Sequence, residues 1–75
     1  MKIILNYIGN DSHDRPVYKD SNGKLFVDTD PRQDRPPSIC TKLYNSFDGE
    51  PDTPICHIKA YEDAEIELLP NRIIW

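Results

Sequence analysis

Ile3, Leu5 and Tyr7 alternate with Ile4, Asn6 and Ile8 near the start of the chain, a two-residue period that predicts a strand with apolar side chains on both faces at its beginning. Gly9-Asn10-Asp11-Ser12 reads as a turn, since glycine tolerates positive φ and Asn, Asp and Ser bond back to local backbone. Val17-Tyr18-Lys19 and Lys24-Leu25-Phe26-Val27 flank Asp20-Ser21-Asn22-Gly23. The Asn-Gly pair predicts a hairpin whose two central residues both take positive φ. Asp28 to Pro37 holds three prolines among charged residues, which prevents ladder donation and disfavours helix. This segment is expected to be an exposed excursion within one domain, because neither side of it carries enough apolar residues for a core of its own.

Ser38 to Phe47 resumes a strand pattern, with Ile39, Thr41 and Leu43 opposite Cys40, Lys42 and Tyr44. Asp48 to Pro54 reads as an acidic, proline-stiffened loop. Ile55 to Tyr61 reads as another strand, with Cys56, Ile58 and Ala60 on its apolar face. Glu65-Ile66-Glu67-Leu68 alternates as a strand, although Ala60 to Leu69 is also built from good helix formers with Pro70 as a stop. Arg72-Ile73-Ile74-Trp75 is too apolar for a free tail and is expected to pack back on the sheet. The prediction is a mostly β, largely antiparallel domain spanning residues 1–75, a small curled sheet or partly open barrel. The alternative is an α+β fold with one short helix near residues 60–69.

Composition narrows the function classes. The 75 residues leave room for one domain, and nine basic against thirteen acidic side chains give a net charge of −4. Phosphate-backbone binding needs a basic footprint, so direct nucleic-acid binding is not expected. The longest aliphatic runs are Ile3-Ile4-Leu5 and Ile73-Ile74-Trp75, far short of a membrane helix or a signal peptide. The expectation is a cytoplasmic protein whose two cysteines, Cys40 and Cys56, are reduced thiols. Three glycines fit neither a phosphate-cradling loop nor a dinucleotide fingerprint, and no Cys-x-x-Cys or His-Glu-x-x-His motif occurs.

Tyr7-Ile8-Gly9, Asp11-Ser12, Arg15-Pro16-Val17-Tyr18-Lys19-Asp20, Asn22-Gly23-Lys24-Leu25, Ile39-Cys40-Thr41 and Phe47-Asp48-Gly49-Glu50-Pro51-Asp52-Thr53-Pro54-Ile55 together carry a resemblance. Over about residues 7 to 55 the chain resembles a small domain family associated with large polyvalent proteins of plasmids, phages and conjugative elements of gut bacteria. The most specific part is Asp-Gly-Glu-Pro-Asp-Thr-Pro after an aromatic residue; His13 departs from the pattern, where an aromatic is common. The resemblance implies a mobile-element setting, and the family has no assigned activity, so it transfers no catalytic or binding residue.

The candidate chemistries each meet a plainer reading. Asp48, Glu50 and Asp52 could ligate a hard cation through oxygen, but the EF-hand spacing is missing and Pro51 restricts the backbone, so they read first as turn-capping, water-facing acids. Cys40, Cys56, His57 and His13 could supply zinc ligands only if the adjacent Cys56 and His57 shared a metal, which opposite strand faces prevent; Cys56 is expected in the core. Ser12-His13-Asp14 spells a triad in letters alone. Cys40 as a nucleophile would need a nearby base and a lowered pKa.

Tyr7, Tyr18, Tyr44, Tyr61 and Trp75 are more aromatics than so small a core is expected to hide, and Arg32 and Arg35 sit in the proline-rich excursion. The resulting expectation is a non-enzymatic module, without cofactor or catalytic residue, that binds another protein as a monomer or an edge-paired dimer. Its interaction candidates are Arg32, Arg35, Asp48, Glu50, Asp52, Tyr44 and Trp75. The runner-up is an acidic anti-defence inhibitor that occupies the basic groove of a host nucleic-acid-binding protein. A metal-binding domain using Asp48, Glu50 and Asp52 comes third.

Overall fold

Short runs, most of them rich in β-branched, aromatic or other apolar residues, build six strands in the computed structural model, which describes residues 2–75. They are β1 (Lys2–Asn10), β2 (Pro16–Lys19), β3 (Leu25–Asp28), β4 (Ile39–Lys42), β5 (Pro51–Pro54) and β6 (Glu65–Leu69). All lie in one sheet of order β5-β4-β3-β2-β1-β6. The pairings from β1 to β5 are antiparallel, whereas β6 runs parallel to β1, with Ile3 opposite Ile66 and Leu5 opposite Leu68. The protein is thus mostly β, with a mixed sheet that does not close into a barrel. Residues 60–69 form no α-helix: Lys59–Tyr61 is a single 3-10 turn and Glu65–Leu69 is strand.

Alternation sorts the side chains onto two faces. Leu5, Tyr18, Phe26 and Ile39 make the main core, joined by half-buried Ile3, Tyr7, Ile55, Tyr61, Ile66, Leu68 and Ile73. Their neighbours in sequence, Val17, Val27 and Cys40, point the other way and are covered by Phe47. The loop after β4 therefore folds back across the second face. Gly9 permits that approach: its φ is +139°, and a Cβ there would stand 3.2 Å from the Phe47 ring. Gly9 lies within β1 beside a bulge, so the expected turn at residues 9–12 is displaced to Asp11–Arg15.

The two hairpin turns share one construction. In each, an Asp accepts two backbone N–H groups on its own Oδ1, at the second and fourth residues that follow: His13 and Arg15 for Asp11, Asn22 and Lys24 for Asp20. Each Asp also closes the turn through its backbone, and the third residue that follows is left-handed, Asp14 at φ 61° and Gly23 at φ 84°. In the Asp20 turn this is a type I turn followed by a left-handed residue, so Gly23 alone takes positive φ where the Asn-Gly pair predicts two such residues.

Two other expectations are corrected. The strand expected over residues 55–61 is instead two 3-10 turns, Ile55–His57 and Lys59–Tyr61, and the strand lies earlier, at Pro51–Pro54, inside the expected loop. Proline has no backbone N–H to donate, a lack that an edge strand tolerates because one of its two sides needs no ladder partner. β5 is such an edge, and Pro51 and Pro54 stand opposite Lys42 and Cys40. The strand expected over residues 38–47 stops at Lys42, where left-handed Tyr44 and Asn45 break it. The C-terminal residues pack back as expected: Ile73 N–H donates to Tyr18 Oη at 3.1 Å, and Trp75 N–H to the Pro31 carbonyl at 3.1 Å.

Candidate functional site

Most polar side chains singled out by sequence are spent on holding loops. Asp48 Oδ1 accepts the Ser12 N–H at 2.9 Å, tying the loop after β4 to the turn after β1. The Glu50 carbonyl accepts the Leu43 N–H at 2.8 Å and closes that loop at its base. Gly49 is required there, since a Cβ would stand 2.5 Å from the Leu43 carbonyl oxygen. Asp52 is exposed on β5. The segment Phe47–Pro54 is thus an aromatic plug, a loop clamp, a tight glycine and a proline-edged strand in succession. Among the described residues, no three His, Cys, Asp or Glu side chains stand together in a way that could hold a metal ion.

The arginines of the proline-rich excursion are neutralised at home. Arg32 Nε lies 2.7 Å from Asp30 Oδ1, and Arg35 Nε 4.0 Å from Asp30 Oδ2. The Arg32 hydrogen bond is the main reason the Asp30 carboxyl is held below its ordinary pKa. Trp75 joins this end of the molecule: its N–H bonds the Pro31 carbonyl, and its indole Nε1 donates to the Asp14 carbonyl at 2.8 Å while much of the ring stays exposed. Arg32, Arg35 and Trp75 are therefore brought to one end. Tyr44 stands apart, 90% exposed at φ 58°, while its neighbour Asn45 grips the β2–β3 hairpin through the Leu25 N–H and the Gly23 carbonyl.

The expected surplus of surface aromatics shrinks to these two. Tyr18 is fully buried, with Tyr7 edge-on at 5.9 Å between ring centroids, and Tyr61 packs edge-on to Phe26 at 6.0 Å. Cys56, expected in the core, is exposed, because a 3-10 turn replaces the strand that would have buried it. Cys40 is buried under Phe47, and that burial pushes its thiol above the ordinary range, the opposite of an activated nucleophile.

Two features escape the sequence pattern. The first is a buried ion cluster on the Phe47 face. Asp11 Oδ2 accepts from Arg15 Nε at 2.9 Å and from Lys42 Nζ at 3.4 Å, and the Asp11 and Lys42 side chains have no solvent exposure. Burial works to raise the Asp11 carboxyl, but hydrogen bonds from the Arg15 backbone, the Arg15 side chain and the His13 backbone together outweigh it, leaving the pKa lowered. Asp11 and Lys42 lie 31 residues apart, so no local periodicity links them. A second buried acid, Asp28, accepts the Asp30 and Ser38 N–H groups on Oδ1, while its Oδ2 has no hydrogen-bond partner among the described residues.

The second feature is an apolar groove where the sheet fails to close. β6 supplies Ile66 and Leu68 on one side; Ile39, Ile55 and Cys56 form the other, with Pro36 and Pro37 at the rim. It encloses about 490 Å³. Ile39, Ile55, Ile66 and Leu68 all belong to or pack against the main core, so the groove is the open flank of that core. The proline-rich excursion thus contributes its prolines to the site more directly than its arginines. No helix among the described residues is long and apolar enough to cross a membrane. No family model, curated protein or solved structure matches this chain.

Proposed function

We propose that this protein is a non-enzymatic binding module whose ligand is another protein, acting as an accessory of a bacterial mobile element. The observation that carries the protein-binding part is the groove flanked by Ile39, Ile55, Ile66 and Leu68, an unfilled flank of the core with an apolar lining. Exposed apolar surface concentrated in one concavity is what a partner's side chains bury on docking. Asp48, Arg32 and Arg35 hold loops, which favours binding over chemistry. The mobile-element setting rests on the sequence resemblance over residues 7 to 55.

Affinity capture from a bacterial extract at low and high salt tests this reading. A partner retained at high salt is expected, because apolar burial is not screened. A partner lost steeply with salt would instead support the acidic inhibitor, and repeated recovery of no partner would contradict both.

A further inference from the structure

We propose that the free edge of β6 is a strand-addition site for an extended segment of another protein in which apolar residues alternate with lysine or arginine. This rests on the protein-binding reading above and names the class of partner.

Among the described residues, β6 ends the sheet, with β1 on one side and no strand on the other. Alternate peptide groups of Glu65–Leu69 therefore face outward, the arrangement that templates a further strand. The opposite edge is unlike it. Two of the four residues of β5, Pro51 and Pro54, have no N–H to offer, whereas β6 meets no proline until Pro70. Only one of the two edges can act as a full ladder.

Its surroundings specify what would pair there. A trough of about 570 Å³ runs along β6, bordered by Lys2, Glu65, Glu67 and Arg72, and it shares Pro37, Ile66 and Leu68 with the apolar groove. Side chains of an added strand point alternately to the two faces. One set would enter the groove against Ile39 and Ile55; the other would lie beside Glu65 and Glu67. Lys2 reaches Glu67 at 3.4 Å from the β1 side, and Glu65 makes no ion pair among the described residues. Cross-strand carboxylates favour basic neighbours. They also oppose a second copy of this chain, since β6 laid antiparallel on β6 about its centre brings Glu67 against Glu67. Arg72 borders the trough, with its guanidinium bonded to the Arg32 carbonyl at 2.7 Å.

The test pans a displayed library of random decapeptides on the immobilised full chain. Enriched sequences are expected to alternate apolar residues with Lys or Arg. A synthetic version should slow amide exchange at Glu65–Leu69, and N-methylation of alternate peptide amides along one edge, but not the other, should abolish binding. Glu65→Lys, an exposed change that leaves the core alone, should weaken the peptide about five-fold. No enrichment, peptides without alternation, protection centred on Tyr44 or Trp75, indifference to N-methylation, or self-association through β6 would each overturn the site. A captured partner that stays bound when the selected peptide saturates β6 also overturns it, while leaving the protein-binding reading standing. Absence of both peptide and partner binding removes both.

Discussion

Asp11 and Asp20 open the two hairpin turns with the same pair of Oδ1 bonds to the second and fourth N–H groups, yet only Asp11 also faces a buried cation, Lys42 at 3.4 Å. The shared part caps a turn, and such caps contribute about 1 kcal/mol. The unshared part is larger, since removing one partner of a buried ion pair strands the other, at a cost of about 3 kcal/mol or more. Asp11→Asn keeps an acceptor oxygen for the amides but removes the charge facing Lys42 and Arg15. It should lower stability by about 3 kcal/mol, whereas Asp20→Ala should cost about 1 kcal/mol. Urea denaturation of the two variants checks the difference; equal losses would mean the Lys42 contact contributes nothing.

The same carboxylate sets an acid dependence. Hydrogen bonds from Arg15 and His13 outweigh burial and hold the folded pKa of Asp11 below its ordinary value of 3.8. The unfolded chain therefore takes up this proton first, and the contribution of Asp11 is fully present above about pH 3.8 and falls as acid titrates the folded form below it. Stability measured from pH 6 to pH 2 should decline more steeply below pH 4 in the natural protein than in Asp11→Asn. Parallel curves would show that other acids carry the dependence.

The thiols should separate cleanly. Cys56 is exposed, whereas Cys40 is buried and its thiol is pushed upward, chiefly by that burial. A thiol-reactive chromophore at neutral pH should therefore modify one equivalent rapidly and the second only in denaturant, and Cys56→Ser should abolish the rapid phase. Two rapid equivalents would contradict the packing of Phe47 over Cys40.

Tyr44 sits at φ 58° with 90% of its surface exposed, so it bears left-handed backbone without a compensating contact of its own. Tyr44→Gly should leave the fold intact and raise stability by about 0.5–1 kcal/mol. A loss in thermal denaturation would mean that the ring supports the Asn45 clamp.

The strands whose alternation is uninterrupted, β1, β2, β3 and β6, were legible in the sequence, as was the β2–β3 hairpin. The helix-forming composition of residues 60–69 was overridden by pairing of Ile66 and Leu68 with Ile3 and Leu5, a contact more than sixty residues away in the chain. β5 was hidden because Pro51 and Pro54 are admissible only at an edge, and edge status depends on the whole sheet order. Asp48, Arg32 and Arg35 stood out as surface charges, but their bonds to Ser12 and Asp30 are products of loop geometry. The groove was invisible for a simpler reason: its walls come from three separated segments, each ordinary by itself.

A partner docked in this open flank of the core can be blocked through Cys56 without disturbing the fold, because Cys56 is exposed and part of the groove wall. The decisive measurement is the Kd of the captured partner for the natural protein and for the same protein carrying a bulky maleimide on Cys56. At least about a tenfold loss of affinity, or about 1.4 kcal/mol, is expected with unchanged thermal stability; equal affinity for the blocked and unblocked forms would contradict docking in the groove.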